Sequence, residues 1–592
     1  MHAAWRLWTK KADFDALAAK LGIDPVIARL LVNRDVPEDQ MAAFLHPSSK
    51  DYHDPALLSG AKEAAELLSE SIDKKIKIRV IGDYDVDGIN ATYILKTGIR
   101  RCGGDCDAAI PRRIEDGYGI NVRMVEDAAA GGVGLLITCD NGIAAADAIG
   151  RGRELGMKMI VTDHHAVPFE TGADGVRRQL LPEADVVCDP HQNGDTYPYP
   201  NICGAVVAWK VITLLYRIRG MDAAEAEVFV ENAAFATICD VMPLSGENRS
   251  IVTEGLRALS NTKNTGLRAL LTRNHLRGER LTAYHCGFIL GPQFNAAGRL
   301  DQASRALALL ECRDEGDAAA RAMELVTLND ERKAMTEHGV DQALSIIGEQ
   351  GLAKDAVLVI YVPGVHESLA GLIAGRLKEK FYRPTIVLTD AEDGGLKGSG
   401  RSIEAYSMFE KLHECADLFT KFGGHPMAAG LSMPAENLDE LRRRLNEQAG
   451  LSQEDLTPQI HLDVPMPLSY LTEDLIRQIS LLEPYGTGNP KPLFAEKNLR
   501  IRQISRIGAN KQYLKFSVLF PGRDGQRHTM DALFFSDAEE LETYVRKKCG
   551  NDAWDQAEHG EGDGIFLDLC YEPQINEYRG RISLQILIRD YR

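Results

Sequence analysis

No Cys-x-x-Cys pair occurs in the sequence, although it carries 11 cysteines in 592 residues. Scattered and odd in number, they argue against a disulfide framework or a structural zinc cluster. No apolar run is long enough to span a bilayer. Residues 1–8 lack the charged-then-apolar layout of a secretory signal. These absences point to a cytoplasmic protein without membrane contact. A basic excess is missing too: 68 Lys and Arg against 86 Asp and Glu leave a net charge of −18. That speaks against a protein that coats nucleic acid non-specifically, which usually shows a basic face. A nuclease whose basic groups line one channel stays open, because metal-ligating acids add to the negative sum. Hydrophobic content of 44% and charged content of 26% are ordinary for a globular chain, and the length implies two to four domains.

What is present is organised around Arg79-Val80-Ile81-Gly82-Asp83-Tyr84-Asp85-Val86-Asp87-Gly88. An apolar strand over 76–81 breaks at Gly82 into three aspartates at alternate positions, followed by a helical pattern over 89–95. Like charges this close repel, and hard divalent cations such as Mg²⁺ or Mn²⁺ are what carboxylate oxygens bind. A calcium loop of the EF-hand type would need a downstream glutamate, which 89–95 lacks.

The theme recurs. The run 135–139 ends at Asp140-Asn141-Gly142, 159–162 ends at Asp163-His164-His165, and 185–188 ends at Asp189. Helical segments between them make βαβ units and a parallel sheet. Ligands of such sheets bind beyond the carboxyl ends of the strands, so these acids are expected to converge. Asp240, after the apolar segment 236–239, reads by itself as a helix end or turn.

Around this module the chain reads as α/β and multidomain. Residues 1–57 form a helical lead-in, 58–312 the parallel-sheet domain, and 313–350, proline-free and rich in Ala, Glu, Arg and Leu, a long connecting helix. A second α/β domain follows over 351–457. Its Gly398-Ser399-Gly400-Arg401-Ser402 and Gly423-Gly424-His425-Pro426-Met427-Ala428-Ala429-Gly430 segments are read as loops where a phosphate backbone could approach. Over 458–592, period-2 runs at 513–520 and 582–588 indicate an all-β barrel. There Tyr513, Lys515, Tyr571, Tyr578, Arg579 and Arg581 suit base stacking and phosphate contact.

Asp85-Val86-Asp87, Asp140-Asn141-Gly142, Asp163-His164-His165 and Asp240 together resemble the DHH phosphoesterases, and 423–430 resembles the DHHA1 substrate-binding domain that accompanies them. Further likeness lies in 111–119, Asn295-Ala296-Ala297-Gly298-Arg299, 483–490 and 576–580. With a terminal OB-like barrel, the order of motifs is similar to the single-stranded-DNA-specific exonuclease branch of that family, over nearly the whole chain. The resemblance implies that Asp85, Asp87, Asp140, His164 and Asp240 ligate two divalent metal ions, Mn²⁺ or Mg²⁺, with Asp83 beside them. It implies that His165 faces the scissile phosphate, that Arg113, Ser399 and Arg401 hold a 5′-phosphate, and that Arg299, Arg376 and His425 contact DNA. Two departures stand out. The segment 363–368 has Val365 and Glu367 where the family usually has tryptophan and glycine around His366, and Asp83-Tyr84-Asp85 lacks the upstream histidine of the smaller phosphatases.

The implied activity is two-metal hydrolysis of single-stranded DNA, 5′→3′, to mononucleotides in DNA repair and recombination. A narrow passage between the two α/β domains would exclude a duplex. Asp140, on a central strand end, is the candidate bridge between the metals; Asp140, His164 and His165 are the candidate catalytic residues. The implied partners are single-stranded DNA, a RecQ-type helicase and a single-strand-binding protein, with a monomer expected. The alternative is a DHH phosphodiesterase for short oligonucleotides or cyclic dinucleotides, which would leave the barrel unexplained.

Overall fold

The computed structural model describes residues 3–592 except Ile114, Tyr118, Ala173, Glu392, Asp393 and Arg579. Three of the motif residues named above (Ile114, Tyr118 and Arg579), and the side chain of Tyr578, therefore lie outside the described residues. The chain divides into two units, one of residues 47–450 with 486–488, the other of 1–46, 451–485 and 489–592.

In the first unit a five-stranded parallel sheet runs in the order Cys106–Ala109, Ile78–Gly82, Leu135–Cys139, Lys158–Thr162, Val186–Cys188. Its strands read as continuous apolar runs because both faces are covered. Alternate residues go to opposite cores. Val80, Ile137 and Ile160 join helices Ala61–Asp73, Val86–Arg101 and Gly204–Ile218 on one side. Ile81, Leu136 and Val161 meet helices Val122–Ala130 and Ala146–Glu154 on the other. The strand Leu135–Cys139 is the middle one, so Asp140 leaves the centre of the sheet.

The helix Glu315–Gln350 ties this domain to the next, burying Ala322 and Leu325 in the first core and Ala343 and Ile347 in the second. The second sheet runs Lys421–His425, Ala428–Met433, Leu396–Arg401, Thr385–Asp390, Leu358–Tyr361, with only the last pair parallel. Of the two glycine-rich segments, expected as loops, the first lies in the strand Leu396–Arg401 and the second is the hairpin that joins Lys421–His425 to Ala428–Met433. Small residues carry little strand propensity, so pairing with the apolar neighbour Thr385–Asp390 decides their conformation.

The other unit contains the barrel. Phe494–Ile507, Tyr513–Pro521, Arg527–Phe534, Arg581–Tyr591 and Ile565–Tyr578 pair in that order, and the last pairs back with the first. Closure removes the free edges. Two helices, Ala538–Cys549 and Asn551–Glu558, interrupt the strands, an insertion that strand alternation did not announce; Trp554 carries it into the core. The helical lead-in does not stand alone. Ile27, Leu30, Leu31 and Phe44 share a core with Leu468, Phe494 and Leu514, and the strand Ala4–Leu7 pairs with Gln459–Leu462. No helix among the described residues is long and apolar enough to cross a membrane.

Candidate active site

Each acid is placed by the element it ends or starts. After the strand Ile78–Gly82, Asp85 caps the helix Val86–Arg101, accepting from the Gly88 amide at 3.0 Å. Gly88 is obligatory there, since a Cβ would stand 2.5 Å from the Asp83 amide nitrogen. Asp87, in the first turn, accepts from the amides of Gly204 and Ala205 at 2.7 Å each, at the N-terminus of the helix Gly204–Ile218. That helix end is electropositive and favours a carboxylate. Asp140 leaves its strand with φ of 59°, and Val241, directly after Asp240, has the same φ. Left-handed backbone at a β-branched residue is strained; here it follows the helix Val230–Cys239, whose end delivers Asp240.

The side chains gather around His164. Its Nε2 stands 3.0 Å from Asp140 Oδ1, 3.5 Å from Asp87 Oδ2 and 3.7 Å from Asp240 Oδ2. Three sets of donor atoms lie close enough to share a cation: Asp87, His164 and Asp240; Asp83, Asp85 and Asp140; Asp140, His164 and His165. Asp140 belongs to two of them with different partners on either side. His165 Nδ1 donates to Asp163 Oδ1 at 2.8 Å and lies 3.9 Å from Asp140 Oδ1. Asp163 also accepts from the amides of His164, His165 and Ile143.

The electrostatics describe a site short of positive charge. Burial and then Asp85 push Asp83 well above the ordinary carboxylate range; burial and the neighbouring aspartates do the same to Asp140. Burial and Asp87 raise Asp85, and also raise Asp240, the latter to about 8. Asp83 Oδ1 is buried without a hydrogen-bond partner. Asp163 differs: burial pushes it up, but its bonds from His165 and the amides outweigh that and hold it below its usual value. Reciprocally, burial opposes the charge on His165, yet Asp163 raises it to about 9. Carboxylates forced upward by one another, an orphaned carboxylate oxygen and one imidazole nitrogen are a donor set that suits Mg²⁺ or Mn²⁺.

A group of arginines adjoins the acids. Arg113 lies over the Tyr84 ring at 4.9 Å, and its charge is felt by Asp83. Arg299 is pulled down to about 10 by burial and then by Arg113, Arg332 and Arg401. Burial and Arg113 likewise lower Arg401. Gly371 makes room for it: a Cβ there would meet the Arg401 guanidinium at 2.8 Å and Ser399 Cβ at 3.3 Å. Across the sheet, Arg401, Ala428 and His425 form one row and Ser399, Gly430 and Gly423 the next, with open space over both glycines. His425 and Arg376 are exposed, the latter on the helix Ala370–Phe381. Among the described residues no acid pairs with Arg113, Arg299, Arg332, Arg376 or Arg401.

Comparison with known proteins matches residues 77–237 to the DHH family N-terminal domain, 354–450 to the DHHA1 domain and 462–590 to the RecJ OB domain. The chain is 34% identical over 579 residues to the single-stranded-DNA-specific exonuclease RecJ of Bacillus subtilis (strain 168), covering 97% of this chain and 69% of the relative. It is 31% identical over 590 residues to RecJ of Escherichia coli (strain K12), covering 96% and 95%. The chain belongs to the RecJ family. A solved structure of RecJ in complex with Mn²⁺ from Thermus thermophilus matches with a TM-score of 0.80 and 27% identity, over 100% of this chain and 79% of that one. The DHH, DHHA1 and OB modules expected from the motifs are all present, in the expected order.

Within this RecJ fold, residues that sequence reasoning did not assign also take part in the site. Asp163 orients His165; its place at a strand end was a signal, its direction was not. Gly204 and Ala205 hold Asp87 from 117 and 118 residues away. Arg332 joins the arginines from the connecting helix, where it donates from Nε to Asn329 at 3.1 Å.

Proposed function

We propose that the chain is a divalent-metal-dependent exonuclease that hydrolyses single-stranded DNA 5′→3′ to mononucleotides. The observation that carries this is the meeting of the three ligand sets on Asp140 and His164, with arginines beside them that make no ion pair with an acid among the described residues. The names of its RecJ relatives support the substrate.

In this reading Asp85, Asp87, Asp140, His164 and Asp240 hold two divalent cations, Mn²⁺ or Mg²⁺, with Asp83 adjoining. Those cations, when bound, activate water near neutral pH and offset charge on the phosphoryl oxygens. The chain's own residues do the rest. His165, kept protonated by Asp163, donates to a non-bridging phosphate oxygen, a preorganised contact worth roughly 3 kcal/mol or more in the transition state. Arg113, Ser399 and Arg401 grip a 5′-phosphate, which sets polarity, and Arg299, Arg376 and His425 hold the following backbone. Aromatic and basic groups of the barrel, among them Tyr513 and Lys515, offer stacking and phosphate contact. A cytoplasmic monomer working in DNA repair and recombination, beside a RecQ-type helicase and a single-strand-binding protein, completes the reading.

The test is digestion of single-stranded DNA labelled at either end, with Mn²⁺, alongside its duplex and a dinucleotide. Mononucleotides released from the 5′ end of the single strand are expected. Cleavage of the dinucleotide alone would reassign the protein to short oligonucleotides. Asp140→Ala is expected to abolish cleavage while leaving the fold and DNA binding intact.

A further inference from the structure

A cavity of about 250 Å³ lies beside the acids, lined by Arg112, Arg113, Arg299, Gln302 and His366 among others. Its charges do not cancel. Glu115 on its wall is taken by Arg112 at 2.6 Å, and Asp301 by Arg305 at 2.8 Å. Among the described residues, Arg113 and Arg299 make no ion pair with an acid, although Asp83 feels the Arg113 charge. Two guanidinium groups without an ion-pair partner on one cavity favour an anion there, by the same reasoning that crowded carboxylates favour a cation.

His366 completes the wall and is already aimed. The Ser368 amide donates to its Nδ1 at 3.3 Å, and the Ser368 hydroxyl lies 2.7 Å from the same nitrogen. With the Ser368 amide donating to Nδ1, the neutral ring carries its proton on Nε2. Nε2 has no partner among the described residues. The same serine is clamped to Arg299: Arg299 Nη1 donates to the Ser368 carbonyl at 2.9 Å, and the hydroxyl lies 3.2 Å from the Arg299 carbonyl. One short segment therefore fixes both an N–H donor and a guanidinium on one cavity.

We propose that His366 is a substrate contact, its Nε2–H and the Arg299 guanidinium together binding one backbone phosphate of the single strand in this cavity. Ser399 and Arg401 do not line this cavity; Arg113, placed above with them on the 5′-phosphate, does, so the two phosphate sites adjoin at Arg113. The inference rests on the reading of the protein as a single-strand nuclease, and it gives a role to a histidine whose flanking residues depart from the family pattern.

The test is binding without turnover. Fluorescence anisotropy is measured in EDTA on labelled oligodeoxynucleotides carrying one uncharged methylphosphonate at successive positions. His366→Ala is expected to weaken binding of the unmodified strand about ten- to hundredfold, the scale of one charge-assisted hydrogen bond. His366→Gln, which keeps a donor near Nε2, is expected to bind within about twofold of wild type. At one position the methylphosphonate should weaken the wild type and leave His366→Ala unaffected, because that variant no longer makes the contact. Equal losses for both proteins at every position would overturn the contact. A wild-type protein that binds no single strand at all overturns the functional reading, and this inference with it.

Discussion

A β-carbon on Gly204 would stand 2.7 Å from the Cβ of Asp140. The first amide of the helix Gly204–Ile218 can bond Asp87 at 2.7 Å only because nothing projects from that position. Gly204→Ala must therefore separate the helix from either Asp87 or Asp140. The expected result is a folded protein with weakened Mn²⁺ binding by calorimetry and about 100-fold slower cleavage, the upper range for losing support of a metal ligand. Wild-type kinetics in this variant would mean that the close approach is not needed.

Asp163 governs the orientation and charge of His165. Asp163→Asn keeps the shape but removes the charge and one acceptor. Cleavage is expected to fall about 10- to 100-fold, with single-strand binding in EDTA unchanged. A matching fall in binding would show that Asp163 instead supports the strand contacts.

Arg401 sits beside Ser399 in the space that Gly371 leaves open. If it grips a terminal phosphate, Arg401→Ala should slow digestion of 5′-phosphorylated strands about tenfold, in line with a lost charged hydrogen bond. Strands with a 5′-hydroxyl should be affected far less. Equal slowing of both would place Arg401 on the internal backbone.

Stability should carry the mark of Glu231. Burial pushes this carboxyl up to about 7, although Thr262 donates to it at 2.9 Å. The folded form holds its proton to a higher pH than the unfolded one, so stability is lost as pH rises from about 4.5 to about 7, by about 3 kcal/mol. Glu231→Gln keeps an acceptor for Thr262 and removes the titration. Its melting temperature should exceed that of the wild type at pH 8, with the gap closing toward pH 4.5. A pH-independent gap would point to packing instead.

The legible parts of the sequence were those where a local pattern and the fold agree. Apolar strands ending in acids announced Asp85, Asp87, Asp140 and the His164-His165 pair, because a parallel sheet sends every strand end to one edge. Asp240 was recovered only through resemblance, since a carboxylate at a helix end is ordinary by itself. Directions were not legible: nothing local says that His165 turns to Asp163 while His164 turns to Asp140. Arg332 was hidden because a charged residue on a long helix usually faces solvent. The glycine-rich strands lack the branched side chains that mark strands, so their sequence reads as loops.

The lead-in helices share their apolar core with residues from 464 onward, while the intervening chain, from 47 to 450, forms another unit that 486–488 complete. During synthesis, Ile27, Leu30 and Leu31 leave the ribosome long before Phe494 and Leu514 exist. At roughly 5–20 residues per second that wait is on the order of 20–90 s. Until then an apolar helical hairpin is tethered, uncovered, to a DHH domain whose own chain is already made. Early chaperone capture, and insolubility of truncations that keep the first 46 residues but stop near 450, follow from that order of events.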